Sequence, residues 1–554
     1  MSRNPENHEY YRQLEAARSL ATETERLGLY EEYQSKFPRA TAPKRLPLNF
    51  LTGDNFDTQL YKYVTSALRK GVPPLFVDLK PLYNDADKKK QLETLFARLL
   101  NNLTEKSSFD DEGKVKESPT CLLWTYYYLS QQYDSNGDYT KALELINKAI
   151  DHTPTLIELF MLKGKIYKHA GDPEKAVECL DEAQSMDTAD RYINCKCAKY
   201  MLRANKIKDA EAMCALFTRE GVPAMENLDE MQCMWFQTEC ARAYKRLGEQ
   251  GETMKKCYEI DRHFTEIVED QFDFHTYCMR KMTLKAYVTL LRLEDELRSH
   301  RFYHQAAAIA IQTLVDLYDN PIKDVDPDEE LKKNSKDLDP EELKKLLAKA
   351  RKARKKKEEE EKAKQEEEKK RKEAQSRNRR KKDEDCENQL KEELIPNKLA
   401  RTEDPLGEAT KFLEPLLLLV NNSITTHFLA FEVYLRKGKP LLMLKALRQA
   451  IALNSTTGQH KTELHSCMAR FLNYIDTNKA TINPTTMKVI QSIMPEDIKN
   501  TTAANYNEKF IGENSGDLER VFVSLNIQVK IDGSSADQAV EKLTQTPLAG
   551  TIIK

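Results

Sequence analysis

Residues recur at a spacing of 34 through the middle of the chain, and that period constrains the fold more than any single motif. Gly137-Asp138 returns as Gly171-Asp172, and Tyr133 returns as Tyr167. Ala142 returns as Ala176 and again as Ala210, while Ala149 returns as Ala183. Pro154 closes the first unit, where the chain must leave its second helix. Two helices per 34 residues, with small residues where they cross and a turn between them, is the tetratricopeptide spacing. Each unit can bury its apolar face only against a neighbour, so such units stack into a superhelix with a concave groove.

Composition agrees with an all-α chain. With 17 Gly and 21 Pro in 554 residues, the sequence lacks the glycine-rich turns of a β sandwich or an α/β enzyme. Weaker helical units flank the repeats. "MWFQTECARAYKRLG" (234–248) reads as a first helix with Trp235 and Tyr244 as core anchors, and residues 272–300 read as one long amphipathic helix partnered by 301–318. A further pair is expected over 429–454. The organisation read from these patterns is 1–115, N-terminal helical repeats; 116–322, central tetratricopeptide repeats; 323–395, a charged helical or disordered segment; 396–515, C-terminal helical repeats; and 516–554, a divergent tail.

Charge is distributed unevenly. Residues 343–382 contain 20 Lys/Arg and 8 Asp/Glu, a local +12 in a chain whose net charge is −2. Forty such residues, if helical, would reach roughly 60 Å. A basic segment on an acidic body suggests a polyanionic partner such as RNA or a ribosome surface, against the plainer alternative of a solvated charged helix. The longest apolar run, "LEPLLLLV" ending at Val420, falls far short of the ~20 residues that span a bilayer, so no membrane partner is expected. Eleven cysteines without a ladder of spacings fit reduced thiols.

The repeat register also predicts a site. Lys165 and Lys199, 34 apart, take the ninth position of successive repeats; His169 and Arg203 take the thirteenth, and Lys168 the twelfth. Positions nine and thirteen of first helices line the groove, and residues three or four apart share a helix face. Adjacent first helices pack about 8–10 Å apart, so these groups converge, with Lys196 at their edge. Clustered like charges cost free energy unless an anion sits among them. The alternatives are a site for a compact polyanion or acidic loop, and lysines that each reach groove water independently. A carboxylate clamp would want asparagine at the ninth position, where this chain has Gln131, Lys165 and Lys199.

Catalytic and metal residues are not found. The sequence has no HExxH, GxSxG or P-loop pattern, and "RLGEQGE" (246–252) lacks the order with which acetyltransferases hold the coenzyme A pyrophosphate. "CKC" (195–197) reads as packing on a helix. The chain is expected to be a scaffold and not an enzyme.

"PTLIELFMLKGKIYKHAG", "DTADRYINCKCAKYMLRAN", "MQCMWFQTECARAYKR" and "DQFDFHTYCMRKMTLKAYV", with "KRLPLNFLTGD" (44–54) and "KEELIPNKLA" (391–400), resemble the auxiliary (large) subunit family of the NatA amino-terminal acetyltransferase complex. The likeness covers roughly residues 3–515. It implies a helical cradle around a separate catalytic subunit, which alone carries acetyl-CoA, and anchoring at the ribosome for acetylation of nascent chains. It further implies inositol hexakisphosphate as a structural ligand, assigned here to Lys165, Lys168, His169, Lys196, Lys199 and Arg203. A second acetyltransferase subunit and a ubiquitin-associated-domain inhibitor are implied as partners, and the cytoplasm, with a nuclear pool, as location.

Two departures from the family stand out. "RNPEN" (3–7) resembles the end of a repeat whose helices are missing, and the stretch after residue 519 matches poorly. The chain is thus expected to be a short isoform, a paralogue product or an incompletely defined gene, with reduced solubility and weakened ribosome contacts. The competing function is a ribosome- or RNA-associated helical-repeat adaptor that has lost acetyltransferase binding through truncation.

Overall fold

Small residues bring helices together in pairs throughout the protein. The structure, a computed structural model, describes residues 3–269, 271–322, 394–495, 498–499, 501–514 and 516–532. No strand occurs among the described residues. They fall into two compact units, one ending at Leu228 and the other beginning at Asp229. Most of the expected charged segment (323–393) and the end of the tail (533–554) lie outside the described residues.

The first unit opens with α1 (His8–Ala17), α2 (Glu23–Lys36), the one-turn α3 (Ala42–Arg45), α4 (Gly53–Lys70), the short α5 (Leu75–Leu79) and α6 (Ala86–Lys106). The "KRLPLNFLTGD" stretch is tied down by buried cations. Arg45 Nη2 donates to the Asp78 carbonyl at 2.8 Å, and Lys88 Nζ donates to the carbonyls of Leu48 (3.0 Å) and Asn49 (2.8 Å). Three hairpins follow: α7 (Pro119–Ser135) with α8 (Tyr139–His152), α9 (Ile157–His169) with α10 (Pro173–Met186), and α11 (Arg191–Arg203) with α12 (Ile207–Ala215).

These hairpins are the repeats that the 34-residue period predicts. Ala142, Ala149, Ala176, Ala183 and Ala210 are all buried. A second column with the same spacing, Ser130, Gly164 and Ala198, is buried on the first helices. At Gly164 a Cβ would stand 2.2 Å from Leu180 Cδ2 and 3.1 Å from the Ala176 carbonyl oxygen. Helices α9 and α10 therefore cross where only a hydrogen fits.

The turns repeat as well. Gly137 and Gly171 have φ of 81° and 85°, which glycine adopts without a Cβ penalty. The N–H groups of Asp138 and Asp172 donate back to the carbonyls of Tyr133 and Tyr167, each at 3.0 Å. Both aspartates then cap the second helix, their carboxylates accepting from the N–H groups of Lys141 and Lys175. One period on, Asn205 holds the left-handed position with φ 63°, and Lys206 N–H donates to the Met201 carbonyl at 2.9 Å.

The division between units falls within α13 (Ala224–Glu230). The second unit contains α14 (Met234–Leu247), α15 (Gln250–Glu269), α16 (Gln271–Lys281), α17 (Leu284–Asp295) and α18 (Arg301–Asp319). It continues with α19 (Pro396–Ala400), α20 (Pro405–Leu419), α21 (Ile424–Arg436), α22 (Pro440–Thr457), α23 (Lys461–Thr477), α24 (Pro484–Ile493), α25 (Ala503–Glu513) and α26 (Leu518–Asp532). Helix α18 is central: Ala306, Ala307 and Ala310 are buried, and α14, α15, α20 and α21 pack around it. The pair expected over 429–454 is α21 with α22.

Three expectations are corrected here. The core anchors of α14 are Phe236, Cys240, Ala241 and Ala243, while Trp235 and Tyr244 are only half-buried, because the helix phase turns them toward the edge. Residues 272–300 are not one helix. The chain breaks after Lys281, and the Thr283 hydroxyl caps α17 by accepting from Ala286 N–H at 3.3 Å. Nor is that segment the main partner of α18, which packs chiefly on α14, α15 and α20 and meets the segment at its end, Leu297–Ser299. At the other end, Val521, Leu525 and Ile527 of α26 are buried, and the helix packs on α23 and α25.

Gly164→Val fills the α9–α10 crossing. We expect it to lower the urea midpoint of the protein, followed by circular dichroism, with a loss of about 1–3 kcal/mol.

Candidate functional site

Helices α9 and α11 are first helices of successive repeats. Lys165, Lys168 and His169 lie on α9; Lys196, Lys199 and Arg203 lie on α11. Their spacing of one and two turns keeps each set on one face. Lys168 is where the two sets meet. Its ammonium is half-buried and held below the ordinary lysine range, first by burial and then by Arg203 and Lys165. Lys196 pushes the same way more weakly, and Asp134 opposes them. Two of the cations lie over rings: Lys196 Nζ is 5.2 Å from the centroid of Tyr192, and the Arg203 guanidinium is 5.6 Å from that of Tyr200. Lys199 is half-buried between Lys196 and Arg203 in register.

Asp134, at the end of α7, is the residue that the sequence reading missed. Its side chain is 3% exposed, and Oδ1 lies 2.7 Å from His169 Nδ1. Oδ2 lies 3.9 Å from Lys165 Nζ. A carboxylate only accepts, so His169 Nδ1 carries the hydrogen. The signal was present, because Asp134 stands one period before Lys168 and takes the same repeat position. Like charges in the groove were expected to need an anion among them, and the chain supplies one of its own. Gln131, at the ninth position of the preceding repeat, is buried and takes no part in the cationic face; its Nε2 donates to the Tyr127 carbonyl at 3.5 Å.

The donors suit a compact anion with several oxygens. Lysine and arginine side chains converge from two helices, and hydrogen bonds between ionised partners are the strong ones. A buried carboxylate, Asp134, engages His169 and Lys165. Nucleophilic chemistry has no comparable setting in this face. Burial pushes the Cys197 thiol up to about 12 and raises that of Cys195 as well, which keeps both protonated and suits the packing role read from "CKC". Among the described residues no group of three or more His, Cys, Asp or Glu could hold a metal ion, and no helix is long and apolar enough to cross a membrane.

A second surface is apolar. Helix α17 has no buried residue, although it reads LKAYVTLLRLED. Leu284 is 77% exposed and Leu293 60%; on the preceding helix Met279 is 69% exposed and Tyr277 52%. Exposed large apolar side chains thus occur on both helices of this hairpin.

Known proteins agree with this architecture. The family described as N-terminal acetyltransferase A, auxiliary subunit, matches residues 1–450. N-alpha-acetyltransferase 16, NatA auxiliary subunit, of Homo sapiens is 50% identical over 546 residues, which is 98% of this chain and 62% of that protein. The N-terminal acetyltransferase A complex auxiliary subunit NAA15 of Arabidopsis thaliana is 37% identical over 558 residues, 98% of this chain and 60% of that protein. The chain therefore spans about three-fifths of the length of these curated relatives, and the alignments run well into the tail that was read as divergent. A chain of the solved structure of Naa15/Naa10 bound to HypK-THB matches with TM-score 0.67 and 33% identity, covering 89% of this chain and 63% of that one.

Lys168 bears a cost that an anion would relieve. Its folded value lies below the ordinary 10.5, so the unfolded chain binds more protons between those two values. Stability thus rises with pH through that window, and at neutral pH the folded state carries the full penalty. Lys168→Met should raise the melting temperature of the anion-free protein while weakening its affinity for a soluble polyanion about tenfold or more, the loss of one charge-assisted hydrogen bond. Thermal melts with and without the polyanion check both effects.

Proposed function

Because the chain belongs to the N-terminal acetyltransferase A auxiliary subunit family, we propose that it is a non-catalytic scaffold that cradles and activates a catalytic acetyltransferase subunit. The observation that carries this reading is the α16–α17 hairpin, on which Met279, Leu284 and Leu293 stand exposed and no residue of α17 is fully buried. A helical-repeat array buries each face on its neighbours, so a hairpin left open in this way suits a protein partner. The solved relative was obtained as Naa15 with Naa10 and HypK-THB, which supports a catalytic subunit as that partner and an inhibitor of the HypK kind as a second. A further acetyltransferase subunit belongs to the same proposal.

The cationic face of α9 and α11 is read as the seat of a structural polyanion, with inositol hexakisphosphate as the ligand and acetyl-CoA confined to the catalytic partner. The residues fit that group: six cationic or titratable side chains about one turn apart on two helices, with the buried Asp134 carboxylate beside two of them. Anchoring at the ribosome through the basic stretch 343–382, and a cytoplasmic location with a nuclear pool, complete the proposal. The competing role, a ribosome- or RNA-bound adaptor without an enzyme partner, is favoured only by that basic stretch.

Capture of a NatA catalytic subunit by the purified chain tests the scaffold. Leu284→Asp with Leu293→Asp should weaken capture roughly thirtyfold or more, as loss of a central apolar contact of about 2 kcal/mol does, with the helical circular dichroism spectrum unchanged. Failure of the unaltered chain to capture the subunit, with RNA retained, would favour the adaptor. Lys168→Gln with Lys199→Gln probes the cationic face separately. Charge reversal at Lys165 is avoided, because a second carboxylate beside buried Asp134 would damage the fold itself.

A further inference from the structure

Asn507 fixes the chemistry of a buried histidine in the second unit. His465 of α23 is 2% exposed and lies flat against Phe510 of α25, with ring centroids 3.8 Å apart and planes within 6°. Tyr506, on the same helix as Phe510, stacks on it at 4.9 Å. His465 Nε2 lies 2.9 Å from Asn507 Oδ1, and Asn507 Nδ2 donates to the Ser524 carbonyl of α26 at 2.8 Å. A carbonyl only accepts, so the amide turns its NH2 to Ser524 and its oxygen to the ring. His465 Nε2 must therefore carry the hydrogen. Nδ1 is left as a buried lone pair without a protein partner. One relay thus ties α23, α25 and α26 together around a neutral ring.

The imidazolium would not suit this place. It would add an N–H buried without an acceptor and a charge without a counter-ion. Among the described side chains, the charged groups of the surrounding helices are turned to solvent or engaged elsewhere. On α23, Glu463 stands beside His460 at 3.3 Å, and Arg470 is held by Glu432 of α21 at 2.7 Å. Lys445 and Arg448 of α22, Glu508 and Lys509 of α25, and Glu519 of α26 are exposed. Arg520 of α26 pairs with Asp517 at 3.1 Å. The Cys467 thiol, two residues on, is pushed up to about 12 by burial and stays protonated. Burial likewise holds the His465 ring below the ordinary histidine range, against the pull of the Asn507 hydrogen bond.

We propose that His465 is an acid-sensitive latch: the α25–α26 pair docks on α23 around the neutral ring and loosens when the ring takes up a proton. The proton comes from solvent and no covalent bond changes. A released ring titrates near the ordinary value of about 6.5, and the docked ring titrates lower. Docking is therefore strongest above about pH 6.5 and weakens as pH falls toward the docked value, below which no further loss occurs.

Hydrogen–deuterium exchange of the full chain between about pH 7.5 and about pH 5 reads docking as the protection of residues 503–513 and 518–532, corrected for the intrinsic exchange rate. Protection there should fall with pH by at most about tenfold per pH unit, relative to α20, which contains no histidine. His465→Gln keeps a donor for Asn507 and cannot titrate, so its relative protection should stay flat. His465→Phe, which keeps the ring stack, takes its place should the glutamine variant leave α25 and α26 unprotected at every pH. Proton NMR of the unaltered chain follows the His465 ring itself, which should titrate below the ordinary value. A ring that titrates at or above that value would overturn the latch. So would a pH-independent protection in the unaltered chain, a loss that α20 shares equally, or a slope that persists in the variant without the imidazole.

Discussion

The close approach of paired helices at small side chains governs this protein. Where α9 meets α10, Gly164 leaves room for nothing larger than hydrogen against Leu180 and the Ala176 carbonyl. Ala142, Ala176 and Ala210 repeat that approach from the second helices. Dispersion attraction across such a crossing is small for each pair of atoms and large in sum, and it fixes the rotation of each helix about its axis. Once the rotation is fixed, residues 34 apart fall on the same face of successive first helices. The cationic groove follows from packing as much as from charge: Lys165 and Lys199 align because the alanines beneath them do.

Asp134 shows how such a groove is stabilised before any ligand arrives. A carboxylate that is almost fully buried needs its cations, since an unpaired buried charge costs several kcal/mol. Lys165 supplies a charge and His169 a ring N–H, and both remain partly exposed at the surface of the site. The same arrangement leaves Lys168 as the strained member, desolvated and surrounded by Arg203, Lys165 and Lys196. Asp134 thus ties the end of α7 to two neighbours on α9, His169 and Lys165.

Most of this was legible in the sequence wherever the period was strict. The alanine columns and the Gly-Asp turns follow from spacing. Asn205 escaped notice because the turn was sought as glycine, although asparagine also adopts the left-handed conformation and stands one period after Gly171. Asp134 escaped because the register was applied to cations only. Trp235 misled through its size: a large aromatic suggests a core, but the phase of α14 gives that place to Phe236. The break after Lys281 was hidden by continuous helix formers on both sides, and its marker is a single capping threonine.

Helix α17 departs from the logic of the rest. Most helices of both units bury a face on neighbours within their own unit, which offsets the conformational entropy lost in ordering them. Helix α17 buries no side chain completely, yet its sequence carries leucine, valine and tyrosine at helical spacing. Capping by Thr283 supplies only about 1 kcal/mol, too little to hold twelve residues helical in water without packing. The remaining stabilisation has to come from apolar contacts along the hairpin, and exposed Leu284 and Leu293 show that those contacts are incomplete. A partner that covers them would bury apolar side chains that the second unit leaves exposed.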